Sequence, residues 1–384
     1  MFDLIIRSLT QRKMRTGLTI FGIALGIFAV VVMGGMSEHM NLVVDRSLKL
    51  MANNIQVQPD GTLGGIGSLD ESKVRQIKRV PGVQDAHGVL IASLDPEGVG
   101  GFGGGDMVFG VIPEKQLKDA KLAAGRYLVP GDGYRAVIGS SIARKFDLKV
   151  GDELEIKSKR MQRTSSITNT RNVSVVGILE YTGSIFDSAV QMPLDRAQKF
   201  YGMENTVSFI YAKPAPGADP EELAKRIELS VEKVKSESPD TLRKSFQGQL
   251  VIFSLITISA AVLAAIIGGL SVMNTMLMSV SERTKEFGLL KALGAERKSI
   301  LFMTMGEAAF MGVIGGIAGI AAGGITVHFL NNIFLSSQGS ALFSITPRLA
   351  AVALLFAMVL GIVCGTYPAY RATKMSPMEA LRYE

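Results

Sequence analysis

The chain has 384 residues, with Lys+Arg 41 against Asp+Glu 34, one Cys, no Trp and 47% hydrophobic residues. The lone Cys364 excludes an intrachain disulfide framework and a cysteine zinc cage, and His39, His87 and His328 lie far apart with no H-E-x-x-H spacing. No Gly-Lys dipeptide occurs, so the sequence carries no Walker A loop for ATP.

In residues 1–15, Phe2, Ile5, Ile6 and Leu9 fall on one side of a helix, while Asp3, Arg7, Thr10, Gln11 and Arg15 tend to the other. That pattern predicts an amphipathic helix lying in the membrane interface and positioning the first span. From Thr16 to Ser37 there is no charge. A hydrocarbon core of ~30 Å needs about 20 apolar residues at ~1.5 Å each, so residues 16–37 are long enough to span a membrane. The preceding Arg7, Arg12, Lys13 and Arg15 resemble a signal-peptide n-region, yet the apolar run is too long and no A-x-A-like site comes after it, which favours a retained anchor.

Residues 38–244 form a domain-sized, mixed-charge stretch, long enough to bury its own core. Ile55–Gln58 reads as a strand, Glu71–Arg79 as a helix stopped by Pro81-Gly82, and Val89–Leu94 and Met107–Ile112 as further strands. Gly131-Asp132 and Gly151-Asp152 mark turns in a strand-rich region that includes Val173–Leu179. Asp219–Ser236 reads as a helix with Asp219 as cap and Pro220 at its first position. The mixture predicts an α/β (α+β) domain, in two lobes. The Gly61–Gly67 and Gly98–Gly105 runs read as flexible loops, since neither precedes a helix carrying Lys-Ser/Thr. Met40, Val44, Leu48 and Met51 before the domain, and Leu242–Leu250 after it, continue the helical pattern as stalks.

Three further spans are expected, at 245–280, 299–330 and 348–370. They are separated by a charged segment 281–298 and a short external loop 331–347, and a tail 371–384 ends the chain. Four such runs are more than a buried soluble core supplies, so the fold class expected is an α-helical membrane protein with four transmembrane helices and a large extracytoplasmic domain inserted between the first two. Residues 1–15, 282–298 and 371–384 carry net charges of +3, +2 and +1, whereas 331–347 contains no Lys or Arg. Basic flanks stay cytoplasmic, which predicts a multi-pass protein of the cell membrane with both termini in the cytoplasm. The +7 total is mostly this orientation signal, and a nucleic-acid surface is the losing explanation.

Gly22 and Gly26 in the first span, Gly312, Gly316, Gly319 and Gly323 in the third, and Gly361 and Gly365 in the fourth set small residues at helical spacing. Such positions let helices approach closely, within one chain or across a dimer. Glu307 is the sole acid of the third span. Its position fits a structural pairing with a basic residue near the cytoplasmic interface better than a proton relay, because no acid-His chain accompanies it.

Met273–Ile300 (MNTMLMSVSERTKEFGLLKALGAERKSI), the terminal Pro368–Ala372 and Pro377–Glu384, the basic-then-apolar Arg7–Gly26 region, and exterior Gly125–Gly151 and Val175–Pro193 resemble the MacB/FtsX-type (type VII) ABC permeases. The resemblance implies a permease paired with a separate ATPase in two copies, a second permease copy (identical or paralogous) and a coupling helix after the second span. An extracytoplasmic adaptor is compatible with the class. Carried onto this chain, the ATPase contacts are Glu282, Arg283, Lys285, Glu286, Gly288, Leu289, Lys291, Ala292 and Gly294. Macrolide exporters proper carry a fused ATPase domain that this sequence lacks, so the resemblance implies ATP binding by another polypeptide, with no cofactor and no catalytic residue of its own. The work expected is extrusion of a peptide, lipid, lipoprotein or hydrophobic drug. The alternative is a module that moves no substrate and instead regulates an exterior enzyme. A membrane-anchored enzyme is disfavoured, because no nucleophile-base-acid or metal constellation stands out in the exterior segment.

Overall fold

The structure, a computed structural model, describes residues 13–50, 54–61, 67–96, 106–115, 120–162 and 165–374. Most of the amphipathic segment 1–15, both glycine-rich runs apart from Gly61 and Gly67, and the terminal Pro377–Glu384 motif lie outside the described residues. Two compact units are present: Met1–His39, Val251–Leu330 and Phe343–Glu384 in one, Met40–Leu250 and Asn331–Leu342 in the other. Helix α1 (Lys13–Leu50) contributes residues to both, since it continues well past the apolar run that ends at Ser37.

The second unit is the exterior domain. Its elements are β1 (Ile55–Pro59), β2 (Leu69–Asp70), α2 (Ser72–Lys78), β3 (Val83–Ser93), β4 (Met107–Val111), β5 (Leu122–Gly125), β6 (Arg135–Ile138), α3 (Ser140–Lys145), β7 (Glu153–Gln162), β8 (Ser165–Leu179), β9 (Ala189–Pro193), α4 (Leu194–Tyr201), β10 (Thr206–Val207), β11 (Phe209–Pro214), α5 (Pro220–Ser230) and β12 (Val234–Glu237). Among the described residues, ten strands form one sheet in the order β12-β1-β11-β3-β4-β9-β6-β8-β5, with β7 paired to β8, and β2–β10 form a separate pair. The sheet is mixed: β4–β9 and β6–β8 run parallel. Because successive strand residues point to opposite faces, Leu90, Val108, Ile138 and Val190 enter one apolar cluster while their neighbours Val89, Phe109, Val137 and Ala189 enter another.

One helix ends earlier than its sequence pattern predicts. Asp219 caps α5, its carboxylate accepting from the Glu221 N–H at 2.9 Å, but the helix stops at Ser230. Lys233 adopts φ +56, and Val234–Glu237 turns back as a strand beside β1. Pairing with β1 and the burial of Val234 and Ser236 win over the helical propensity of the intervening Glu and Lys.

The first unit adds α6 (Pro239–Glu282), α7 (Thr284–Ala292), α8 (Arg297–Gln338) and α9 (Pro347–Lys374). Among the described residues, α1, α6, α8 and α9 are long and apolar enough to cross a membrane. Large apolar side chains on α6 point outward, Ile252 at 63% exposure and Leu263 and Leu270 at 60%, a surface suited to lipid rather than water. The chain is therefore a four-span membrane protein with an α/β domain inserted between spans one and two.

Small residues line the close helix crossings of the helical unit. The glycines of α8 form two stripes rather than one. A Cβ on Gly312 would fall 2.5 Å from the Ala357 carbonyl oxygen and one on Gly316 2.9 Å from the Ala357 Cβ, so this stripe faces α9. Gly319 and Gly323 face α1 instead, with Ile27 and Val31 at 2.7 and 2.8 Å, and Gly315 extends that stripe against Ile23. Gly361 and Gly365 of α9 meet Ala308, while Gly22 and Gly26 of α1 lie against Ser271 and Ala264 of α6. Each of the eight glycines singled out by spacing thus sits against another helix of the same chain. The hydroxyls of Thr19 and Thr275 add a 2.5 Å hydrogen bond between α1 and α6.

Candidate coupling interface

Helix α7 comes directly after α6 with only Arg283 between them and is capped at its far end by a glycine turn. Gly294 adopts φ +91, a left-handed conformation that a side chain resists. Its N–H bonds the Lys291 carbonyl at 3.0 Å and the Ala295 N–H bonds the Leu290 carbonyl at 2.9 Å, the paired pattern of a Schellman cap. A Cβ added to Gly294 would meet nothing within 4 Å, so backbone geometry rather than space accounts for the residue.

One side of α7 is tied to the ends of the spans. Phe287 is buried in a cluster with Val280 of α6, Ile300 of α8 and Ala372 of α9. Lys291 donates its ammonium to the Thr373 carbonyl at 2.6 Å, a cation placed on the exposed carbonyls of a helix C-terminus. Burial lowers the Lys291 pKa, and nearby Arg297 adds to the effect. Arg283 donates from Nε to Glu286 at 2.7 Å and from Nη1 to Glu307 at 3.4 Å, and its guanidinium lies 5.5 Å from the Phe287 ring centre.

The other side is open. Leu289 is 54% and Leu293 79% exposed, Leu290 is also exposed, and Glu282, Lys285, Glu286, Ala292 and Gly294 surround them. The nine residues carried over from the family pattern therefore divide. Glu282, Lys285, Glu286, Leu289, Ala292 and Gly294 lie on the outer surface, whereas Gly288 is buried and Arg283 and Lys291 turn their charges onto this chain's own helices. Phe287, which fixes the helix, is not among the nine; its apolar place directly after Lys285 and Glu286 is the available signal. Glu307 and Arg283 are 24 residues apart, and no local pattern joins them.

No group of three or more His, Cys, Asp or Glu side chains able to hold a metal is found among the described residues. The arrangement offers a mixed apolar and charged surface on the connection between spans two and three. Four spans, an inserted α/β domain and such a helix between spans two and three define a permease class.

Residues 16–229 match the family described as MacB-like periplasmic core domain, and residues 240–377 the one described as FtsX-like permease C-terminal. The chain belongs to the MacB/FtsX-type ABC transporter permeases. It is 27% identical to an uncharacterized ABC transporter permease of Methanocaldococcus jannaschii, over 98% of this chain and 96% of that protein. It is 24% identical to the uncharacterized permease YknZ of Bacillus subtilis, over 99% and 98% of the two chains. The macrolide export ATP-binding/permease protein MacB of Bdellovibrio bacteriovorus is 28% identical over 98% of this chain, which spans 61% of that longer protein.

Proposed function

We propose that this permease is the membrane subunit of an exporter driven by a separate ATPase, and that the outer surface of α7 is the seat of that ATPase. The observation that carries the reading is the two-sidedness of α7: Phe287 and Lys291 lock one side to the span ends, while Leu289 and Leu293 stay exposed among charges. Exposed leucines on a charged, rigidly capped helix are a protein-docking surface. The basic excess of residues 282–298 supports a cytoplasmic position for that surface and both termini, on the side where ATP is.

Two permease copies and two ATPases complete the assembly in this reading. ATP-driven closure draws the two α7 helices together, and α1 and α6 carry the movement outward. Within the exterior unit both helices are tied down: the Ile185 N–H bonds the Ser47 hydroxyl at 3.1 Å, Leu50 packs against the second sheet cluster, and Arg243 pairs with Asp45 at 2.9 Å. The substrate class is a peptide, lipid, lipoprotein or hydrophobic drug handled outside the bilayer or in its outer leaflet. Affinity purification of the full chain from its native membrane should bring down an ATP-hydrolysing subunit. Reversing Glu282, Lys285 and Glu286 together should abolish that association. Retention of the ATPase by the triple variant would remove α7 as the seat.

A further inference from the structure

Glu307 lies inside the third span with its side chain 9% exposed, and a buried carboxylate needs compensation. Arg283 supplies it from Nη1 at 3.4 Å while giving Nε to Glu286 at 2.7 Å. The two acceptors differ sharply in access, since the Glu286 side chain is 63% exposed. One guanidinium therefore bridges a carboxylate held within α8 to a carboxylate open on α7. Its planar fork serves both at once, which a lysine ammonium on a flexible stem does less well.

We propose that Glu307 is a positioning residue that holds α7 against α8 through Arg283, and that Glu286 is the exchangeable arm, taken over by a cation of the docking ATPase. The proposal rests on α7 being the ATPase seat. The geometry explains why an acid is kept in the span at all. Removing the buried acceptor leaves Arg283 with Glu286 of its own helix and cuts the tie between the start of α7 and α8, whereas removing the exposed one leaves that tie in place. Docking then reads out in the span: once Glu286 turns to the ATPase, Arg283 has Glu307 as its remaining carboxylate in the pair, and a pull on α7 is delivered to α8 through that contact.

The test uses the full chain in detergent, with trypsin cleavage after the half-buried Lys291 as the measure of α7 release, a bond that none of the substitutions adjoins. Glu307→Gln should speed that cleavage about tenfold, less than the loss of one partner of a fully buried pair would give, because Arg283 is partly exposed and keeps Glu286. Exchanging the charges (Arg283→Glu with Glu307→Arg), together with Glu286→Gln so that the new acid faces no second carboxylate, should restore protection, which a role in packing alone would not do. Glu286→Gln should leave cleavage unchanged and weaken association with the co-purifying ATPase about tenfold. Size-exclusion behaviour identifies any variant that fails to fold, and Arg283→Lys, expected to give intermediate protection, then serves in its place. Unchanged cleavage in folded Glu307→Gln, or no rescue by the exchange, overturns the positioning role. If Glu307→Gln releases α7 but Glu286→Gln and the surface triple variant both keep the ATPase, the positioning role stands while the hand-over and the docking seat both fall.

Discussion

The exterior domain and the helical unit each cohere internally, by opposite uses of the same residue types. In the domain, Leu90, Ile138, Ile156 and Ile210 are wholly buried, stacked by strand alternation between a sheet and its helices. In the helical unit, residues of that type on α6 face outward, and Gly312, Gly316, Gly361, Ala308, Ala353 and Ala357 line the close α8–α9 crossing beside a smaller set of buried large residues, Ile23, Ile27, Val31 and Met311 among them. Water explains the difference. Apolar side chains are expelled from it at roughly 25 cal/mol per Å², but lipid tails exert no such force between helices, so close van der Waals approach of small residues has to suffice. A leucine is a core residue in one environment and a surface residue in the other.

That contrast can be broken most severely at the α8–α9 crossing. Gly312→Leu would drive a side chain into the Ala357 carbonyl, 2.5 Å from the first added carbon, and should cost the helical unit more than about 3 kcal/mol. The half-buried Cys364 is the single thiol of the chain, so its labelling rate in detergent reports the opening. Leu90→Ala in the domain should cost about 3 kcal/mol through the cavity it leaves, read as earlier loss of strand signal on urea titration with Cys364 labelling unchanged.

A smaller effect separates the units by pH. Burial pushes the His87 pKa down to about 4 from 6.5, against a partial opposing pull from Asp85. The folded domain thus disfavours the protonated imidazole. Its stability should be level above pH 6.5 and fall as the pH drops from 6.5 towards 4, by on the order of 1 kcal/mol once partial exposure is allowed for. His87→Gln should flatten that segment of the profile. Asp85, held down to about 2 by the Lys115 hydrogen bond and by Lys78, loses its contribution only at more acid pH, as the pH falls below 3.8. The smallest effect sharpens the glycine argument: Gly324 has open space where its Cβ would be, so Gly324→Ala should stabilise α8 by about 0.5 kcal/mol in the same Cys364 assay.

Much of this is legible in the residues alone. The Thr16–Ser37 run can be read as a span because a charge-free stretch of that length has few other uses, and the Ser281–Ala295 motif points to the residues of α7. The α5 boundary is not legible, since Val234–Glu237 becomes a strand only because β1 is there to pair with it. Nor is the division of the α8 glycines, or the part that Gly315 takes in it: spacing of three and four places residues near one another on a helix but does not say which of two neighbouring helices each stripe will meet.

Sequence by itself determined that this protein crosses a membrane four times, carries an α/β domain between the first two crossings, and belongs among the MacB/FtsX-type permeases. Those properties are written in uninterrupted apolar length, local period and contiguous motifs. The tertiary structure decided which charges of α7 turn inward, which donor Glu307 shares with Glu286, and which helix each glycine touches. Those depend on contacts between residues far apart in the chain, and such contacts exist only once the helices have packed.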